Sequence, residues 1–68
     1  MTGAIRLGQF LKLAGLAEDG AQARELVQDG DVSVNGVTET RRGHTLAIGD
    51  VVRVDAPQGV RAARVTPA

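Results

Sequence analysis

The chain contains no cysteine, no tryptophan and no tyrosine, and each absence removes a class of function. Without thiols there are no disulfides to staple the fold and no thiolate metal sites. Phe10 is the whole aromatic complement, and its place in an apolar helical pattern assigns it to the core. Modules that read single strands by stacking bases need exposed aromatic platforms, so an RNA-recognition sheet or an OB-type binder is disfavoured. If RNA is the ligand, shape and phosphates must carry recognition. Histidine is equally scarce: His44 stands alone, in a segment that reads as a loop. One imidazole with scattered carboxylates is a poor metal set, since closed sites need about four ligands, and it is a poor base for a nucleophilic triad. The stretch from Gly15 to Gly20 lacks the Gly-Lys-Ser/Thr ending of a phosphate loop. No enzyme activity, metal or cofactor is expected. No apolar run approaches membrane-spanning length and the N-terminus lacks the apolar stretch of a signal peptide, so the expectation is a cytoplasmic protein with no membrane partner.

Sixty-eight residues allow one small domain, 1–68, with a modest core and marginal stability. Net charge is zero, which does not advertise a nucleic-acid binder. The distribution carries more than the sum. Arg6 and Lys12 are the only charged side chains up to Ala17; Glu18, Asp19, Glu25, Asp29 and Asp31 then face Arg24 alone; Arg41, Arg42 and Arg53 outweigh Asp50. This pattern fits either a bipolar surface or ordinary mixed solvation.

The segment from Asp19 to Gly36 organises the chain. Asp19 can N-cap a helix and Gln22, three positions on, can return the bond. Ala23, Leu26 and Val27 share one helical face, and Gly30 supplies the residue that tolerates positive φ at the helix end. Val32-Ser33-Val34 alternates with period two, and Asn35-Gly36 is a type I′ hairpin signal that pairs Val34 with Val37 and Ser33 with Thr38. Val32, Val34 and Val37 then share a face that covers the helices, with Glu39 at its rim in water. Before this segment, Ala4-Ile5-Arg6 reads as a short strand. Leu7, Phe10, Leu11 and Ala14 form the stripe of a first helix that ends at Gly15, with Leu16 folding back on Leu11. After it come a loop over Thr40 to Thr45, a short strand holding Leu46 and Ile48, and a turn at Gly49-Asp50. A β-rich run follows over Val51 to Asp55, then a turn at Ala56 to Gly59 and a final strand over Val60 to Val65. Met1 to Gly3 and Thr66 to Ala68 are expected as frayed ends. The fold class is α+β, with two short helices packed on a small, mainly antiparallel sheet.

Arg6-Leu7, Phe10-Leu11, Ala23-Arg24, Gly30, Val32, Val34, Asn35-Gly36 and Gly49-Asp50 fall in the order of a known pattern. The chain resembles the RNA-binding domain of the small-subunit ribosomal protein four type, the alpha-L motif, over a motif core of about residues 5–54. Asp19-Gly20-Ala21-Gln22-Ala23-Arg24 and Glu39-Thr40-Arg41-Arg42 resemble its stand-alone bacterial YbcJ-like branch. The resemblance implies an alpha-L RNA-binding fold and a monomer that contacts structured RNA, ribosomal or transfer, with a ribosomal or RNA-processing protein as a further partner. Asp19-Gly20 stands where many family members open the second helix with Ser-Arg, and Gly8 and Gln9 replace a frequent Asp and Lys. The implied affinity is modest.

The candidate RNA-binding residues are Arg6, Lys12, Arg24, Arg41 and Arg42, with Gln22, Asn35 and His44 as supporting donors. A guanidinium fork donates two parallel bonds to phosphate, and a glycine-containing loop can present Arg41 and Arg42 to a groove. Each residue has a plainer alternative. The Arg41–Arg42 pair and Lys12 can serve solubility, Arg24 can pair with Asp29 or Asp31 at little gain, and Asn35 is required by its turn. Two readings of other classes remain open. Two short helices about a glycine-containing turn fit a helix-turn-helix DNA binder, although the second helix presents Glu25 and Asp29. The acidic segment fits a protein-interaction module.

Overall fold

Leu7, Phe10 and Leu11 are spaced to fall on one side of a helix. In the computed structural model, which describes residues 5–57 and 59–67, that side is buried against the rest of the chain. The elements are β1 (Ile5–Arg6), α1 (Leu7–Leu13), α2 (Gly20–Gln28), β2 (Val32–Val34), β3 (Val37–Thr38), β4 (Thr45–Leu46), β5 (Val51–Ala56) and β6 (Gly59–Arg64). Strand β1 runs straight into α1, with Arg6 in extended geometry as its N-cap. Both helices end alike. Gly15 and Gly30 have positive φ, and the N–H two residues after each C-cap donates back into the helix, Leu16 to the Leu11 carbonyl at 2.9 Å and Asp31 to that of Leu26 at 3.1 Å. These are Schellman caps, and they turn the chain sharply enough to need almost no linker. Asp19 caps α2 as expected, its Oδ1 accepting from the Gln22 N–H at 2.8 Å. Gln22 returns its bond one residue earlier than expected, to the Glu18 N–H.

Four strands form one antiparallel sheet in the order β3-β2-β5-β6, and β1 pairs with β4 in a second, two-stranded one. The register places Val32 opposite Val54 and Val34 opposite Val52, and all four valines are buried. With Leu7, Phe10, Leu11, Leu16, Ala23, Val27, Leu46 and Val65 they make one core between helices and sheet. Ser33, Arg53 and Ala62 align across the opposite face. Among the described residues every buried side chain is apolar, so the interior offers nothing to titrate. No described helix is long and apolar enough to cross a membrane.

Several expectations need correction. Val37 pairs with Val34 as read, yet it is 70 % exposed, because β3 is the sheet edge and has a neighbouring strand on one side alone. Glu39 is drawn in by bonds described below. Ala14 caps α1 in the open, and Ile48 lies outside β4 and is half exposed. Val65 follows β6 and is buried, exchanging backbone bonds of 2.8 Å with Gly49 and Asp50. The expected frayed Met1 to Gly3, the Ala4 start of the first strand, Gln58 in the last turn and the final Ala68 lie outside the described residues.

Asn35 and Gly36 both have positive φ, 52° and 85°, the signature of a type I′ turn. The Asn35 amide also ties the turn to the start of β5: its Oδ1 accepts from the Val51 N–H at 2.9 Å and its Nδ2 donates to Asp50 Oδ1 at 3.0 Å. Asp50 Oδ2 accepts from the Ala47 N–H at 2.9 Å. These two donors, the backbone N–H of Ala47 first and the Asn35 amide second, hold the Asp50 carboxyl below its ordinary value. Asn35→Ala removes both amide bonds and leaves a residue ill suited to positive φ. A loss of about 1–3 kcal/mol is expected, read as a lower denaturant midpoint at unchanged slope. Because the Asp50 pKa is depressed on folding, its contribution is fully present above the unfolded-state value and is lost as pH falls through the lower folded one. Stability measured below about pH 4 is therefore expected to fall less steeply for Asp50→Asn than for the wild type.

Candidate nucleic-acid interface

The first N–H groups of α1, like those of any helix, have no intrahelical acceptor, and with no spacer after β1 there is no preceding loop to serve them. The loop between β3 and β4 supplies them. The Leu7 N–H donates to the His44 carbonyl at 2.8 Å, the Gly8 N–H to that of Arg42 at 3.0 Å, and Arg6 Nη1 to that of Gly43 at 3.2 Å. With its backbone fixed to α1, the loop carries Arg42 up beside Arg6. Gln9 and Lys12 follow Arg6 at steps of three along α1, which keeps them on the same side.

These residues enclose a concavity of about 320 Å³ lined by Arg6, Gln9, Lys12 and Arg42, with Gly20 and Ala23 of α2 opposite. Three cations, two from α1 and its cap and one from a loop some thirty residues on, thus converge on one hollow beside the start of a helix. Arg6, Lys12 and Arg42 have no carboxylate partner among the described residues. Arg24 lies one turn beyond Gly20 on α2, exposed, outside this lining and without the ion pair to Asp29 or Asp31 that its sequence position allowed.

The other candidates are engaged elsewhere. Arg41 is on the same loop, with its Nε 3.2 Å from Glu39 Oε2. His44, half-buried, sets its Nδ1 3.2 Å from Glu39 Oε1. Gln22 spends its side-chain oxygen at the start of α2, on the flank away from the concavity. Asn35 is committed to its turn and to β5. Two participants were missed in the sequence. Gln9 could have been found from the three-residue spacing that joins it to Arg6 and Lys12. Glu39 gave no signal beyond standing two residues before an arginine.

Charge separates across α2. The flank opposite the concavity is a groove bordered by Glu18, Glu25, Asp29 and Asp31, closed at one end by Arg61, which donates to the Gly15 carbonyl. Neutral overall charge therefore conceals one cationic and one anionic side. Among the described residues no three His, Cys, Asp or Glu side chains gather as a metal set would require. The chemistry available at the concavity is anion recognition by guanidinium and ammonium groups.

Comparison with known proteins gives a family and relatives. A family model described as the S4 domain matches residues 1–61. A protein of Bacillus subtilis (strain 168) named "Probable ribosome maturation protein RlbA" is 43 % identical over 51 residues, covering 75 % of this chain and 72 % of that one. A protein of Escherichia coli (strain K12) named "Putative RNA-binding protein YbcJ" is 40 % identical over 48 residues, covering 71 % of this chain and 69 % of that one.

Proposed function

The chain belongs to the S4 domain family, and on that premise we propose that it is a non-catalytic protein that binds structured RNA, ribosomal or transfer, through phosphate contacts. The observation that carries this reading is the convergence of Arg6, Lys12 and Arg42 on one concavity. Arg24 and Arg41 extend the cationic surface on either side, with His44 behind the loop. Gln22 and Asn35 keep their structural roles and leave the contact set. A rigid loop and two short helices suit a folded backbone, whose phosphates hold fixed spacings, and the lack of exposed aromatic rings disfavours single strands. The names of the Bacillus and Escherichia relatives, which refer to ribosome maturation and RNA binding, support ribosomal RNA as the first ligand to test. A helix-turn-helix reading has little support, since the outer side of α2 carries Gln22, Glu25 and Asp29 beside an acidic groove and would repel a DNA duplex.

An amide NMR titration with a folded ribosomal RNA hairpin tests the surface. Shifts are expected at Arg6, Lys12, Arg24 and Arg41 to His44, fading as salt rises. Still amides there under excess RNA would refute the reading, and shifts confined to Glu18, Glu25 and Asp29 with a protein partner would replace it. Neutralising about four or five phosphates gives an expected slope of roughly −3 to −4 in log affinity against log salt. Arg41→Ala combined with Arg42→Ala is expected to weaken RNA binding by about tenfold or more. Both side chains are exposed, so the thermal midpoint should hold; loss of the fold would count against their assignment to binding.

A further inference from the structure

Glu39 is an anion inside a cationic surface, and its place there needs a reason. It ends the edge hairpin just after β3, at the rim of the core-facing side where its carboxylate is expected in water, yet its side chain is only 15 % exposed. Two hydrogen bonds from Arg41 and one close contact hold it. Oε2 accepts from the Arg41 N–H at 3.1 Å and from Arg41 Nε at 3.2 Å, and Oε1 faces His44 Nδ1 at 3.2 Å. The Arg41 side-chain and backbone donors, in that order, hold the Glu39 carboxyl below its ordinary value.

The contact to Arg41 is made from the side, through Nε alone. A guanidinium carries five N–H donors, and the four on the terminal nitrogens of Arg41 have no partner among the described residues. The Arg41 side chain is 76 % exposed. A carboxylate bound at Nε fixes the guanidinium plane and leaves the terminal fork pointing outward, the geometry that takes two oxygens of one phosphate. The same carboxylate closes the backbone of the loop at Arg41, one residue before the carbonyls that cap α1 and hold Arg6.

We propose that Glu39 is a positioning residue for RNA binding, acting through Arg41, so that removing its negative charge weakens the hold on RNA. The inference rests on the RNA-binding reading above. Simple electrostatics demands the opposite sign, because an anion within a Debye length of bound phosphates repels them and its loss should tighten binding. Orientation and charge therefore predict opposite results for one substitution.

The test measures affinity for a folded ribosomal RNA hairpin by fluorescence anisotropy across a salt series. Glu39→Gln is expected to bind about three- to tenfold more weakly than wild type, with a salt slope shallower by about one, as the Arg41–phosphate contact is lost. Glu25→Gln removes the same single negative charge on the far flank of α2 and should bind as tightly as wild type or tighter. In an Arg41→Ala background, Glu39→Gln should have no further effect, which a merely structural role would not allow. Arg41→Lys keeps the charge without the Nε contact and should fall toward Arg41→Ala; this holds the inference to account even if Glu39→Gln fails to fold. A folded Glu39→Gln that binds as well as wild type, an equal loss in the Arg41→Ala background, or full affinity in Arg41→Lys overturns it. If wild type shows no salt-dependent binding at all, the RNA reading itself fails, and the positioning role with it.

Discussion

The start of α1 is the constraint on which the rest of the structure depends. A helix that follows a strand with no spacer exposes N–H groups at a point where no preceding loop can cap them. Here the acceptors are the carbonyls of His44 and Arg42. Leaving either N–H unsatisfied would cost about 1–3 kcal/mol, a large share of the stability available to a domain of this size. The pairing of Ile5 with Leu46 sets the position of the loop, and Leu46 enters the core beneath it. Capping, strand pairing and burial therefore all fix one loop conformation, and Arg42 inherits its place from all three.

Helix α2 divides the surface. Gly20 and Ala23 border the basic concavity, while Glu25 and Asp29 border the acidic groove. A polyanion approaching this protein meets attraction on one flank and repulsion on the other, so the field orients the encounter even though it adds nothing in sum. Zero net charge and a directional field are compatible because charge was partitioned along the chain before it was partitioned in space.

Local signals were legible in the sequence, and long-range ones were not. Both glycine helix stops, the Asp19 cap, the Asn35-Gly36 turn and the hairpin register follow from residues a few positions apart, and the structure has all of them. The family resemblance resting on these residues was right as well. What failed needed knowledge of neighbours distant in sequence. Alternation put Val37 on the inner face correctly, but could not tell that β3 lies at the sheet edge. Glu39 is the exception: its partners Arg41 and His44 stand only two and five residues on, but an irregular loop has no periodicity from which to read that they fold back on it. The convergence of Arg6, Lys12 and Arg42 was invisible because it is long-range: residue type named all three, but only the β1–β4 pairing brings the loop to α1.

The bond from Arg6 to the Gly43 carbonyl spans 37 positions of sequence. The concavity is therefore a property of the finished chain. During synthesis the first helix emerges with its cations already in place but with no wall opposite them, and a fragment ending before the loop carries charge without geometry. The hollow takes shape only when the β3–β4 loop closes onto α1, so completion of folding is the step that gathers its three cations. A chain folded only as far as α1 would hold Arg6 and Lys12 without the facing wall that Arg42 and Gly43 supply.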